Sequence, residues 1–287
     1  MGDYGPLLEE VRRLRWRASR PVRGALPGAH PSSRRGTSAE FAEYRPYRQG
    51  DPLARVDWKL FARTDRAYLR LSTDRTVLPT TIVVDFSASM DFPAGQTSKL
   101  ERARQLAVAL SAVAYHEGDP VGVVLAGERV ASFPPRTRGG VVQEIARLLD
   151  AARPAMMTAL ATACNEGARM AQRVVVVSDM LSDSEAVLAT LRAHHARGGE
   201  GHLVHVVAVE ELEPAYGAVH DPERRDDMRV LDASGMDAYQ AAFSEWRDQL
   251  AASCRAAGVA YTLSRTDEFV AADVRRIVAS GSTQAGG

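Results

Sequence analysis

The sequence predicts an α/β protein: a doubly wound, mostly parallel sheet with a small β-containing element in front of it. Three observations carry this. From residue 80 onward, short β-branched runs alternate with segments of helical period. The runs are apolar throughout rather than alternating, the mark of strands buried on both faces of a parallel sheet. The 287 residues, 45% hydrophobic and 25% charged, suffice for one full α/β domain with a smaller appended piece and exclude wholesale disorder.

Along the chain, residues 7–18 have helical spacing, with Leu7, Leu8, Val11 and Leu14 on one side and arginines on the other. Residues 19–36 are rich in Pro, Gly, Ser and Arg and read as an extended linker. Residues 37–78 mix aromatic, Arg and turn residues and read as a small irregular element with short strands. A domain covering 79–280 follows. Its strands are expected at 80–84, 121–126, more weakly 130–133, then 174–177, 203–209 and 259–263. Helices are expected at 98–116, about 139–152, 158–171, 184–196 and 236–257. The polar stretch at about 210–235 is expected to form an inserted β-hairpin. Right-handed crossovers between such strands give helices on both faces.

Lys+Arg and Asp+Glu both number 36, so no global charge pulls the chain toward nucleic acid or membrane. The charge is uneven: residues 1–78 hold 16 basic and 9 acidic residues, the remainder 20 and 27. Lys59 and Lys99 are the only lysines. Cys164 and Cys254 lack metal or redox spacing and read as free thiols in a reducing compartment. The N-terminus carries charge from Asp3 onward, and the longest apolar run, 106–115, is about half of what a bilayer span needs. A cytoplasmic protein is expected.

In doubly wound sheets, ligands bind outside the carboxyl ends of the strands. Two such ends carry chemistry: Asp85-Phe86-Ser87-Ala88-Ser89 after the first strand, and Ser178-Asp179 after the valine run. Thr158 opens a helix between them. Hydroxyl and carboxylate oxygens suit a hard cation such as magnesium, manganese or calcium. Two carboxylates would roughly neutralise a dication. Three hydroxyls would fill its shell without quenching it, leaving a position for a carboxylate from outside. Singly, Ser87, Ser89 and Thr158 are also ordinary helix caps.

The run DFSAS with the later Thr158 and Asp179 resembles the metal-ion-dependent adhesion site of von Willebrand factor type A domains. That resemblance implies that Ser87, Ser89 and Thr158 contact the metal directly and that Asp85 and Asp179 act largely through water. Upstream, Glu40-Phe41, Arg45-Pro46-Tyr47, Gly50-Asp51, Arg55-Val56-Asp57-Trp58 and Ala62-Arg63-Thr64 resemble the signature of the bacterial "domain of unknown function 58" family, with Val56 in place of Ile. In that family the signature precedes a von Willebrand A-like domain. Many relatives carry N-terminal membrane helices, and this sequence shows none. Relatives are often encoded with MoxR-type AAA+ ATPases, which implies work with such an ATPase in assembly or chaperone-like processes.

The expected function is therefore a non-catalytic, metal-dependent protein-interaction module. Arg45, Arg55, Asp57, Trp58 and Arg63 are its further candidates for partner binding, with Arg45, Arg55 and Arg63 able to pair with Glu40, Asp51 and Asp57. Two other readings were weighed. A metal-dependent phosphohydrolase with an aspartate nucleophile would want a second Asp where Ser87 stands, and no G-x-S-x-G, H-E-x-x-H or phosphate loop occurs. A nucleic-acid binder could use the arginines from Arg12 to Arg23 around Trp16, although such a stripe more often is a solvated face or meets an acidic surface of its own protein. His194-His195 reads as a helix-surface pair.

Overall fold

The computed structural model describes residues 2–19, 27–49, 51, 53, 56–93, 98–156, 158–213, 217–220, 228–231 and 233–283. The N-terminal region comprises helix α1 (Gly5–Val11), strand β1 (Pro27–Pro46), helix α2 (Trp58–Thr64) and strand β2 (Tyr68–Thr76). The domain then runs β3 (Thr80–Asp85), a 3-10 turn at Ala88–Asp91, α3 (Lys99–His116), β4 (Val121–Ala126), β5 (Val130–Arg136), α4 (Val141–Ala151), α5 (Leu160–Met170) and β6 (Arg173–Ser178). It continues through α6 (Ser184–Ala196), β7 (Glu200–Val207), α7 (Val209–Leu212), β8 (Gly217–His220), β9 (Met228–Leu231), α8 (Ala233–Ala256), β10 (Ala260–Arg265) and α9 (Val270–Thr283).

Six strands form one sheet in the order β10-β7-β6-β3-β4-β5. All neighbours are parallel except the edge strand β5, whose Pro134 and Pro135 could not serve in the interior of a ladder. Every residue of β3, β4 and β6 is buried. Ile82 and Val84 face a core built with α3, α4, α9 and the N-terminal Tyr4, Val11 and Trp16. Val83 faces the other core, with α5, α6 and α8. The expected three-layer, doubly wound architecture is therefore the one formed. β3 and β6 lie side by side, yet the chain leaves them toward opposite edges. That pair is the switch point at which such sheets open a crevice.

Two details of the N-terminal region differ from expectation. Helix α1 stops at Val11, and Trp16 turns inward to lie 4.2 Å from the Arg173 guanidinium, only 2% exposed. Burying a Trp against a desolvated cation outweighs another helical turn. The stretch read as a linker is crossed by β1, which pairs antiparallel with β2. Register shifts begin at Pro27, Pro31 and Gly36, where proline removes a donor and glycine loosens the strand. Among other expectations, His194 is buried rather than exposed, with its Nε2 3.0 Å from the Gln172 carbonyl. Cys164 and Cys254 are buried free thiols whose pKa burial pushes up to about 12. The last helix, α9, had no counterpart in the expected elements. The hairpin expected within 210–235 exists as β8 and β9, paired from Gly217↔Leu231 to His220↔Met228. No helix among the described residues is long and apolar enough to cross a membrane.

The N-terminal region is fastened at the amino ends of the strands. His30 Nε2 lies 2.8 Å from Asp119 Oδ2, and His30 Nδ1 accepts from Ala18 N, so the neutral ring donates to the carboxylate. Arg173 Nε donates to Glu200, whose other oxygen accepts from Ser19. A second attachment lies at the last turn of α4, where Gly2 N and the Tyr4 hydroxyl donate to Asp150 at 2.8 and 2.6 Å.

Buried His202 on β7 lies 2.9 Å from Thr262 Oγ1, and burial, with Arg173 nearby, lowers its pKa to about 3. The folded pKa lies below the unfolded one, so this stabilisation is complete above about pH 6.5 and is lost as pH falls toward 3. The slope is about 1.4 kcal/mol per pH unit. His202→Gln should flatten the acid limb of stability by that slope, as measured by urea unfolding at stepped pH.

Candidate metal centre

β3 delivers Asp85 as its last residue, and the chain then turns through Ser87 into the 3-10 turn that carries Ser89. Asp85 is 1% exposed, Ser87 3% and Ser89 1%. Asp85 Oδ1 accepts from Ser87 N at 2.9 Å, an Asx turn that swings the hydroxyl back over the strand end. Asp85 Oδ2 accepts from Ser178 Oγ at 2.7 Å, which ties β3 to β6. Ser87 Oγ and Ser89 Oγ then stand 3.0 Å apart.

Neither serine serves as a cap. Ser87 precedes the 3-10 turn without a side-chain capping bond, and Ala159 rather than Thr158 occupies the N-cap of α5. Thr158 is half-buried. It follows Ala155, whose N donates to Phe86 O at 2.8 Å and whose backbone bridges to Ser87. Three residues of chain span at most about 11 Å, so Thr158 lies within that distance of the bridge.

Asp179, one residue beyond β6, is the second carboxylate. Burial raises the Asp85 pKa to about 6, and repulsion from Asp179 adds to the rise, while the bonds from Ser178 and Ser87 oppose it. Two acids at one strand end thus want a cation. One is already present. Lys99, the first residue of α3 and 1% exposed, donates to Asp179 Oδ2 at 2.8 Å and to Glu211 Oε1 at 2.6 Å. The positive end of the helix disfavours a cation there, and so does burial. Burial lowers the lysine pKa, but Asp179 and Glu211 outweigh it and the net direction is upward. Glu211 belongs to α7 and also accepts from Ala208 N through Oε2.

The residues fit a hard dication. In octahedral coordination at about 2.0–2.1 Å, adjacent oxygens are about 2.9 Å apart, close to the separation of the two serine hydroxyls. No group of three or more His, Cys, Asp or Glu that could hold a metal occurs among the described residues, so soft or nitrogen-rich coordination is not offered here. A dication placed there would take the hydroxyls as direct ligands, while the carboxylates, already bonded to protein donors, would supply charge.

Around this polar pit stand large apolar side chains: Phe92 beyond the 3-10 turn, Met156 beside Ala155, and Leu181 after Asp179, respectively 37%, 56% and 53% exposed. Leu181 N donates to Asp179 Oδ1, and the Phe92 ring lies 5.9 Å from the Lys99 ammonium. Lys99, Glu211 and this rim were not placed at the site from the sequence, and Ser178 entered only as the residue ahead of Asp179. The one available signal was that Lys99 is one of two lysines among 36 basic residues.

The described signature residues make their recorded contacts among themselves. Arg45 pairs with Asp51 at 2.7 Å. Asp57 caps α2, accepting from Lys59 N and Leu60 N and from the Tyr44 hydroxyl. Trp58 is 58% exposed and meets Phe61 edge-on, and Arg63 is exposed on the same helix. Arg55 lies outside the described residues. The β1–β2 arm is fastened at the other edge of the sheet, through His30 and Asp119.

Strand order and a serine–aspartate cluster at the switch point define a von Willebrand A-like α/β protein. The family described as "Protein of unknown function DUF58" matches residues 43–247, and the chain belongs to it. Uncharacterized proteins of Mycobacterium tuberculosis and Mycobacterium bovis are each 30% identical over 301 residues, covering 97% of this chain and 90% of theirs. Among solved structures, an aerotolerance-related membrane protein from Bacteroides fragilis shares the fold at a TM-score of 0.50 and 18% identity, over 71% of this chain and 98% of that one. BatB from Bacteroides thetaiotaomicron has a TM-score of 0.47 and 19% identity, over 73% of this chain and 100% of its own.

Asp85 should respond in opposite directions to its two neighbours. Ser178→Ala removes a donor to the charged form and should move the Asp85 midpoint above about 6. Asp179→Asn removes a repelling charge and should move it below. Carboxyl-carbon NMR titration of the metal-free protein reads both. Movement of both midpoints in the same direction would contradict the assigned electrostatics.

Proposed function

We propose that the chain is a non-catalytic protein-interaction module that captures an acidic side chain of a partner through a divalent cation held at the C-terminal edge of its sheet. The observation that carries this is the pit itself: two buried, converging serine hydroxyls beside two buried carboxylates at the switch point, rimmed by exposed apolar side chains. Ser87, Ser89 and Thr158 would contact the cation, and Asp85 and Asp179 would balance its charge. The bound cation would supply a Lewis-acidic position for a carboxylate from outside. Magnesium fits best because it is abundant in the cytoplasm, where the reading places the protein; manganese and calcium share the oxygen preference.

The chain's own residues divide the remaining work. Ser178 and the Ser87 amide fix Asp85. Lys99 fixes Asp179 and draws α7 against the pit. Phe92, Met156 and Leu181 exclude water around the contact and offer apolar area, since exposed patches of this kind mark interaction surfaces. The histidine beside Asp179 is His205 on β7, whose Nδ1 lies 2.9 Å from the Tyr261 hydroxyl and whose pKa burial lowers to about 4. Specificity would come from the rim, from the β8–β9 hairpin that leaves the same edge after β7, and from the exposed Trp58 and Arg63 of the signature element. Family resemblance names the partner class, a MoxR-type AAA+ ATPase.

Magnesium or manganese at about ten times Kd should raise unfolding free energy by roughly 1.4 kcal/mol, because only the folded state binds. Asp85→Ala should keep the fold, whose β3 packing rests on Ile82, Val83 and Val84, and should lose that metal-dependent gain. Purified MoxR-type ATPase should bind the wild type with magnesium and should fail to bind Asp85→Ala or chelated protein. Equal binding in all three conditions would sink the proposal, as would calorimetry showing no uptake of magnesium, manganese or calcium at millimolar concentration.

A further inference from the structure

We infer that Lys99 is the residue that keeps a bound cation receptive to an outside carboxylate, lowering metal affinity and raising carboxylate affinity at the same centre. This rests on the metal reading above and adds to it a specific, signed role for a side chain that no ligand motif includes.

The geometry supplies the reason. The Lys99 ammonium is buried at the head of α3 and lies 2.8 Å from Asp179 and 2.6 Å from Glu211, and Asp179 is in turn near enough to Asp85 to repel its charge. Asp85, Asp179 and Glu211 contribute three negative charges and Lys99 one positive, leaving the cluster at minus two. A dication brings it to zero, and the cation is then not over-neutralised by its own shell. Without the ammonium the same acids total minus three. A dication would be held more tightly but would sit in a net negative pocket that repels an approaching carboxylate. Glu211 works in the reverse sense: its charge strengthens the metal and weakens the outside ligand.

Burial argues that this placement is functional. A desolvated lysine at a helix N-terminus is opposed by both burial and the helix dipole, and an apolar side chain at the same point would be easier to fold. Two carboxylates, one just beyond β6 and one from α7, converge on it nonetheless. A merely structural ion pair would be expected to alter stability and to leave the two affinities unmoved or lowered together.

The experiment uses the full chain, manganese as the metal and acetate as the carboxylate. Calorimetry reads manganese affinity. Water-proton relaxation of the manganese-loaded protein reads displacement of metal-bound water by acetate. Lys99→Met should bind manganese at least about tenfold tighter and acetate at least about tenfold more weakly, each tenfold step being about 1.4 kcal/mol. Glu211→Gln should shift both in the other direction, and the double variant should return both close to wild type. If Lys99→Met does not fold by circular dichroism, Glu211→Gln and the double variant still decide, because one must weaken manganese binding and the other restore it. Affinities that move in the same sense, or a double variant that fails to restore them, overturn the role of Lys99 while leaving metal binding intact. A wild type that takes up no manganese overturns both readings.

Discussion

The arrangement of this protein turns on two carboxylates, Asp85 and Asp179, placed on adjacent strand ends at the one point where the sheet's connections diverge. Each is at most 3% exposed, and burial, with Asp179 nearby, makes Asp85 harder to ionise. Such a pair persists only if donors and a cation are supplied around it. The surrounding residues meet that requirement in order. The Ser87 amide and Ser178 hydroxyl hold Asp85, while Lys99 and, at 3.3 Å, the Leu181 amide hold Asp179. The two serine hydroxyls stand 3.0 Å apart beside this pair.

Positioning Lys99 so tightly requires that α3 be fixed along its length. One turn further on, Arg102 donates through Nε to Ser264, through Nη1 to the Glu268 carbonyl and through Nη2 to Asp273, joining α3 to β10 and α9. At the far end of the same helix, Arg15 reaches Glu117. The buried cations of α3 therefore act at different levels, Arg102 as a clamp on the sheet's edge strand and Lys99 as part of the pit. The N-terminal region attaches at the amino ends of the strands through His30–Asp119 and through Trp16, Arg173 and Glu200, and at the last turn of α4 through Gly2 and Tyr4, which both donate to Asp150.

The parallel strands were legible because they are uninterrupted apolar runs, as at Val174 to Val177, and the site followed from reading what stands just beyond each run. Four of the five ligand candidates are small polar residues at those ends, and Thr158, ahead of α5, joined them through the family resemblance. What the sequence concealed is long-range pairing. Lys99 and Glu211 are 112 residues apart, and nothing local in either marks the partnership. His194 looked like half of a surface pair because its helix is amphipathic, but the Gln172 carbonyl draws it inward. Trp16 lies in a run of arginines that suggested a solvated stripe. Its burial depends on Arg173, which is remote in sequence. The β1 strand was hidden by its prolines and glycines, which break the register but leave a continuous partner in β2 for the remaining residues.

Why lysine at 99, in a chain where all basic residues but two are arginine, follows from the shape of the two cations. Guanidinium is a planar fork that matches one carboxylate in a bidentate plane, as Arg265 does with Asp267. Asp179 and Glu211 arrive from different elements and approach one point from different directions. A compact ammonium with three rotatable donors can serve both at 2.8 and 2.6 Å, and it projects no further toward the serine hydroxyls. A point charge serves both ends, and that is the physical ground for a lysine where composition alone would favour arginine.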